Sequence, residues 1–496
     1  MVQISLERKI TARPKEPVPD LDPDWEPPLY EAQRKIYPQR VKGTYRTIKW
    51  IVLLITLGIY YGLPFVRWDR GPNAPNQAVL IDLDGGRFYF FFIEIWPQEV
   101  YYLTGLLVIA SLVLFLMNAV AGRVWCGYLC PQTVWTDLFL AVERFFEGDR
   151  RERMLADAAP LTLQRALRKG AKHVFWIMIA WWTGGAWVLY FADAPTLVYD
   201  LATGTAPLTA YLWIGILTTT TYLLAGHMRE QVCIYMCPWP RIQAALTDEH
   251  ALNVTYRYDR GEPRGSIKKN AQLQLEGKPA GDCIDCFQCV NVCPTGVDIR
   301  EGSQLGCIQC GLCIDACDTV MRKIGRPERL IAYDNELNIK RRLTGLPSIF
   351  NPVRARTTLY MAVIAIIGGF MIYTLATRHS VALSVIHDRN PIFVKLADGA
   401  IRNGYSLRII NKELAPREFF LTLEGLPASV VDIVGLPLGA RKVIEVGPDQ
   451  TQEIRVLVSN YEYDPPSSTP VTFHIIDTRT GERAQARDHF RAPQKD

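Results

Sequence analysis

Five stretches of this chain are each apolar enough to cross the hydrocarbon core of a bilayer, which takes about 20 helical residues. They run over 48–66, 100–120, 174–191, 208–225 and 359–375. A backbone in lipid must satisfy its own polar groups, so each stretch is predicted to be a helix. The second and fifth contain SLVLFLMNAV and YMAVIAIIGGFMIYTL without a single charge. The third, VFWIMIAWWTGGAWVLYF, carries the aromatics and glycines of lipid-facing and helix-packing surfaces. Five buried core helices in a soluble protein are the disfavoured alternative. With 49% apolar and 21% charged residues over 496 positions, the chain is neither disordered nor fibrous. A net charge of +5 is too small to argue for nucleic-acid binding, and none is expected. The first 47 residues are polar and hold six prolines by Pro28, so no cleavable signal peptide is read there.

Basic residues beside the spans set the expected orientation. Arg34, Lys35, Arg40, Lys42, Arg46 and Lys49 lie before or at the start of the first span, and Arg123, Arg144, Arg150, Arg151 and Arg153 follow the second. The connection 193–206 has no Lys or Arg, and the stretch after the fourth span is basic again, from Arg229 to Arg356. This places the N-terminus in the cytoplasm and the C-terminus outside after five crossings. The connection 69–98, with RFYFFFIEIWP, is expected outside as an interfacial helix or a shallow re-entrant segment. A quinone site there is a narrower idea.

The twelve cysteines fall in four tight groups, all predicted on the cytoplasmic side or at its membrane boundary. CIDCFQCVNVCP at 283–294 and CIQCGLCIDAC at 307–317 each read C-x2-C-x2-C-x3-C, the run that holds [4Fe-4S] clusters in two-cluster ferredoxins. Three close thiolates reach three corners of one cubane, and the fourth crosses to the other cluster. The expected sets are therefore Cys283, Cys286, Cys289 and Cys317 for one cluster, and Cys307, Cys310, Cys313 and Cys293 for the other. Pro294 follows the first run, while Asp318 stands at the equivalent place after the second. Zinc is the alternative for eight such thiolates.

The remaining four form CGYLCP at 126–131 and CIYMCP at 233–238, each just past an apolar span. Proline pushes the residue before it out of helical geometry, so each pair marks a helix end. Residues 48–135 and 174–245 read as one divergent repeat. Packed about a pseudo-twofold axis, the repeats bring Cys126, Cys130, Cys233 and Cys237 together at the membrane surface. Such soft ligands suit copper(I), zinc or an iron–sulfur centre. His227, Met228 and Met236 are nearby in sequence as further ligands, although packing is the commoner use of each. The remaining histidines, His173, His250, His379, His387, His474 and His489, lack paired spacing inside spans, and no b-type haem is expected.

From Ala382 the pattern changes to short alternating runs, YSLRIIN, EFFLTLEG, QEIRVLVSN and PVTFHIID. Ile454, Val456 and Val458 share one strand face. With turn signals at Asn403-Gly404, Gly447-Pro448 and Asp464-Pro465-Pro466, these strands predict an antiparallel β-sandwich of roughly 110 residues. It has no cysteine and reads as a partner-binding or stabilising module. The fold class is thus a polytopic α-helical membrane protein of five spans, with an inserted α+β two-[4Fe-4S] ferredoxin-like domain and a C-terminal all-β immunoglobulin-like sandwich. The divisions are 1–47, a Pro-rich arm, disordered or extended; 48–246, four spans with two CxxxCP motifs; 247–357, the dicluster domain; 358–376, the fifth span; and 377–496, the β domain.

In combination, CGYLCPQTVWTDL, CIYMCPWPRIQ, GCIQCGLCIDACDTVMRKIGRP and NGYSLRIINK resemble the cytochrome c oxidase accessory proteins of the FixG/CcoG (Rdx) family over essentially the whole chain. The resemblance implies a bacterial inner-membrane protein with a periplasmic β domain. It also implies a copper(II) reductase that supplies copper(I) for assembly of cbb3-type oxidase, with Cys126, Cys130, Cys233 and Cys237 as copper-binding and catalytic residues. Expected partners are copper ion, a copper exporter or chaperone, oxidase assembly factors, an electron donor of unknown identity and the bilayer, with a homodimer as a candidate assembly. Two competing functions are a quinol-linked electron conduit without copper and an assembly scaffold whose clusters only sense redox state.

Overall fold

Every one of the five apolar stretches lies on a helix in the computed structural model, which describes residues 35–71, 74–413, 415–437, 442–461 and 466–493. Thr44–Phe65, Pro97–Ala121, Leu208–Met228 and Ala355–Ala376 are long and apolar enough to cross a membrane. The third stretch occupies the second half of the 26-residue helix Leu163–Val188, whose opening turns carry Arg165, Arg168, Lys169 and Lys172 and dilute its hydropathy. Large apolar side chains such as Leu54, Leu107, Ile366 and Phe370 point away from the protein. Small residues make the helix contacts: a Cβ on Gly184 would lie 3.0 Å from the Ile214 carbonyl, so helices Leu163–Val188 and Leu208–Thr221 touch through that glycine. Tyr101–Ala121 packs against Ala355–Ala376, with Gly105 under Met371.

The connection 69–98 corrects an expectation. It is an antiparallel meander of Val79–Asp82, Arg87–Phe90 and Ile93–Ile95, not an interfacial helix or re-entrant segment. Asp82 accepts the Gly85 amide at 2.9 Å, and Gly86 takes φ 65° to close the first turn. Phe91, at φ 51°, begins the second turn and interrupts the aromatic run that suggested a membrane-surface helix.

The C-terminal strands form two antiparallel sheets. One has the order Ser429–Ile433, Gln450–Asn460, Ile401–Asn411, Val381–His387, with Val394–Lys395 beside Ile401–Asn411. The other has the order Val443–Val446, Arg417–Glu424, Ser468–Asp477, Arg483–Arg491. Alternate residues Tyr405, Leu407, Ile409, Phe419, Leu421, Val456, Phe473 and Ile475 fill the space between them. Asn403-Gly404 is not a turn but lies inside a strand. The Asn403 side chain exchanges two hydrogen bonds with the Arg491 backbone, stitching one sheet to the other, and a Cβ on Gly404 would strike the Asp388 carboxylate. Gly447-Pro448 does separate two strands, whereas the Asp464-Pro465 signal falls outside the described residues.

Arg417 is buried between Asp477 and Glu482, with Ser380 also in reach. Arg417→Met is expected to leave Asp477 as an unpaired buried charge and to destabilise the domain by about 3–5 kcal/mol. The measurement is protease cleavage of this domain across a denaturant series, and an unchanged midpoint contradicts the assignment.

The expected arm at 1–47 lies outside the described residues as far as residue 34. Residues beyond it run extended along the protein: Tyr37 donates to Asp157 at 2.8 Å, the Gln39 amide to Asn291 at 2.8 Å and the Arg40 amide to Asp149 at 2.9 Å. At the opposite end of the spans, Arg87 pairs with Asp449 at 2.6 Å and Lys412 with Glu99 at 2.5 Å. The meander is thereby fastened to the β domain.

Candidate functional site

The C-x2-C segments fold back on themselves because Asp285, Phe287, Gln309 and Gly311 all take positive φ, between 51° and 73°. Two cavities result. One is lined by Cys283, Cys286, Cys289 and Cys317 with Tyr256, Arg300 and Met321. The other is lined by Cys293, Cys307, Cys310 and Cys313, and Cys289 also reaches its wall. The backbone amides of Asp285, Gln309 and Leu312 donate to the sulfurs of Cys283, Cys307 and Cys310. Each of these donors lies two residues beyond its cysteine.

After the first run the chain leaves its short helix Gln288–Asn291 and turns at Pro294. After the second it stays helical from Leu312 to Lys323, because Asp318 keeps the amide that proline lacks. The Asp318 carboxylate accepts the Arg329 amide at 2.7 Å, so the departure from proline also anchors the strand that follows.

Burial pushes the Cys289 and Cys307 thiols up to about 12 and Cys313 well above the usual thiol range, with neighbouring cysteines adding to each. Arg300 lowers Cys289 and Arg123 lowers Cys307. Thiols held neutral in this way ionise when a cationic centre enters. A four-thiolate zinc site would need sulfurs about 3.8 Å apart, given its Zn–S bond. Among the described residues, no three His, Cys, Asp or Glu side chains are gathered closely enough to share one ion. Two separate groups of cysteines, each lining its own cavity, instead suit larger inorganic cages.

At the membrane edge, Gly122 turns the chain at φ 56° out of the second span into the short helix Val124–Tyr128, which carries Cys126. Cys130 is extended and starts the helix Pro131–Glu147, where the Thr133 hydroxyl donates to the Cys126 and Cys130 carbonyls at 2.7 and 3.0 Å. In the second motif, Cys233 lies in a π-helical turn, Val232–Met236, and Cys237 is extended. Both second cysteines therefore leave helical geometry ahead of their prolines. Burial, reinforced by Cys130 and Cys233, pushes Cys126 up to about 12, and Cys233 rises likewise through burial, Cys130 and Cys237. The four thiols thus lie within electrostatic reach of one another.

Cys126 donates to Gln243 Oε1 at 3.3 Å and packs with Ile308, Cys310, Leu312 and Ala316, with Cys233 and Trp239 at the edge. His227 is occupied elsewhere, in contact with Tyr222 and stacked 5.9 Å from His173. Met236 is exposed. Three residues around this junction escaped the sequence reading. Arg123 donates to the carbonyls of Leu305, Cys307 and Pro240 at 2.6, 3.3 and 3.0 Å. Tyr128 donates to the Cys310 carbonyl at 3.0 Å. Gly127 faces bare backbone: a Cβ there would lie 2.9 Å from the Ile308 carbonyl and 3.1 Å from Cys310 Cα. The only available signal was their place within and beside CGYLCP.

Comparison with known proteins finds iron–sulfur domains over these segments. A 4Fe-4S dicluster domain model matches residues 228–336, a 4Fe-4S binding domain model matches 103–147, and a model of the Ig-like fold at the C-terminus of FixG matches 371–493. The nitrogen fixation protein FixG of Rhizobium meliloti is 49% identical over 87% of this chain and 87% of its own length. RdxA of Cereibacter sphaeroides is 48% identical over 91% of this chain and 94% of its own length. RdxB of the same organism is 49% identical over 82% and 87%. With two iron–sulfur domain matches, a C-terminal sandwich of the FixG type and this identity along most of its length, the chain belongs to the FixG/Rdx family.

Proposed function

We propose that this protein reduces copper(II) to copper(I) for assembly of cbb3-type cytochrome c oxidase. Cys283, Cys286, Cys289 and Cys317 would hold one [4Fe-4S] cluster, and Cys307, Cys310, Cys313 and Cys293 the other. These clusters supply single electrons. Copper(II) is the substrate, bound among Cys126, Cys130, Cys233 and Cys237, and it gains one electron as a cluster loses one. The observation that carries this reading is the packing of Cys126 and Cys233 into the same apolar cluster as Cys310 and Cys313. Burial holds the Cys126, Cys130 and Cys233 thiols neutral before metal arrives, so copper binding releases protons. Two sulfurs suffice for a soft monovalent ion, and side-chain rotation would bring Cys126 and Cys233, which share one apolar cluster, onto it. The basic flanks of the spans support a cytoplasmic location for the N-terminus and clusters and a periplasmic one for the β domain. Product copper(I) would pass to an exporter or chaperone.

The test is an anaerobic titration of pre-reduced, detergent-solubilised protein with copper(II), following cluster absorbance while a chelator reports copper(I). Reoxidation of the clusters with matching copper(I) is expected; clusters that stay reduced refute the reading. The match of a 4Fe-4S binding model to 103–147, which contains Cys126 and Cys130, favours a second reading in which the membrane thiols hold a third iron–sulfur centre. Iron analysis separates the two, since two clusters contain about eight irons and a third raises that number.

A further inference from the structure

The two cysteine-lined cavities have opposite surroundings. Around the first, Cys286 is exposed, alone among the twelve cysteines. Phe287 next to it is 43% exposed, held at φ 56°, with the Arg300 guanidinium 4.1 Å over its ring. Arg300 is itself pinned by Asp285 at 2.7 Å and Asp298 at 2.6 Å, so this aromatic edge is rigid. Every wall residue of this cavity comes from 256–331 and every wall residue of the other from 254–313, so neither is lined by a span. The second cavity sits against the membrane motif. Cys310 shares a buried apolar cluster with Cys126, and the Gly127 contact leaves no side chain between the CGYLCP helix and the Ile308–Cys310 backbone.

We propose that electrons cross the dicluster region with a fixed polarity, entering at the Cys286–Phe287 edge from a soluble one-electron carrier protein and leaving from the Cys310 side across the Gly127 contact. The balance is one electron per step. The carrier, of flavodoxin or ferredoxin class, is oxidised by one; the first site gains that electron and passes it to the second; no bond forms or breaks and no proton is required. An exposed, preorganised aromatic beside a redox centre gives a partner a contact of low ordering cost. A quinol in the bilayer has no comparable approach, because neither cavity shows it a wall from a span.

This polarity rests on the cluster assignment above but not on copper as the acceptor. It is tested on full-length protein in detergent. Cys310→Ala and Cys286→Ala each remove a ligand from one cavity, and the remaining reduced cluster is read by electron paramagnetic resonance with and without a soluble dysprosium chelate. The signal left in Cys310→Ala should relax severalfold faster with the chelate, and the signal left in Cys286→Ala should not respond. Equal or reversed responses overturn the polarity. If the variants lose both clusters, the wild-type protein serves, where two differently responding signals are expected and one common response overturns it.

Phe287→Glu, with both clusters kept, should slow reduction by reduced flavodoxin about tenfold while leaving reduction by dithionite unchanged. Equal rates overturn the docking edge. Absence of any [4Fe-4S] signal in the wild type refutes the cluster assignment itself, and the polarity with it.

Discussion

Replacing Cys126 and Cys233 together by Ala should abolish copper(I) production while both clusters assemble and reduce as before. Loss of groups that merely support a metal ligand costs about 10–100-fold, so removing two ligands should cost more than about 100-fold. Both side chains are small, and truncating them costs the fold on the order of 1 kcal/mol. Neither lines a cluster cavity. Iron content and the reduced-cluster spectrum should therefore match wild type, and this separates loss of the copper site from loss of the wire. Copper binding and reduction at wild-type levels in this variant would refute the proposed site.

The second large effect is expected from Gly127→Val. The atoms that a side chain would meet are the Ile308 and Gln309 carbonyls and Cys310 Cα, all backbone, so no rotamer change relieves the clash. The CGYLCP helix must then lift away from the cluster loop, at about 1–3 kcal/mol. Displacement of reacting partners by about 1 Å costs as much as 100-fold in rate, and reoxidation of the clusters by copper(II) should slow roughly 10- to 100-fold. Gly127→Ala should fall between. Rapid-mixing absorbance of pre-reduced protein measures this, with iron content as the control for assembly. A Gly127→Val protein that reoxidises as fast as wild type would show that the contact is not the path.

Much of this could be read in advance because cysteine spacing and long apolar runs are local signals. The two C-x2-C-x2-C-x3-C runs and the two CxxxCP motifs mark ligand groups without reference to the fold, and span-length hydropathy needs no partner. The strand pattern of QEIRVLVSN held for the same reason, with Val456 and Val458 buried on one face. What failed depends on tertiary structure. RFYFFFIEIWP is apolar enough for a membrane surface, but its turn at Phe91 and its pairing with 79–82 make it a sheet. Asn403-Gly404 is a turn signal used instead to join two sheets. The π-helical ends at Tyr222–Met228 and Val232–Met236 follow neither strand nor α-helical periodicity. Gly127 and Arg123 act through contacts far away in sequence, with Ile308 and with Pro240, Leu305 and Cys307.

The fastening of the β domain to the meander has a mechanical consequence. Lys412 grips Glu99 immediately before the helix Tyr101–Ala121, and that helix ends at Gly122, four residues before Cys126. Its 21 residues make a strut of about 32 Å. A tilt imposed on the β domain would therefore be delivered, as through a lever, to a thiol on the far side of the spans that the domain does not touch.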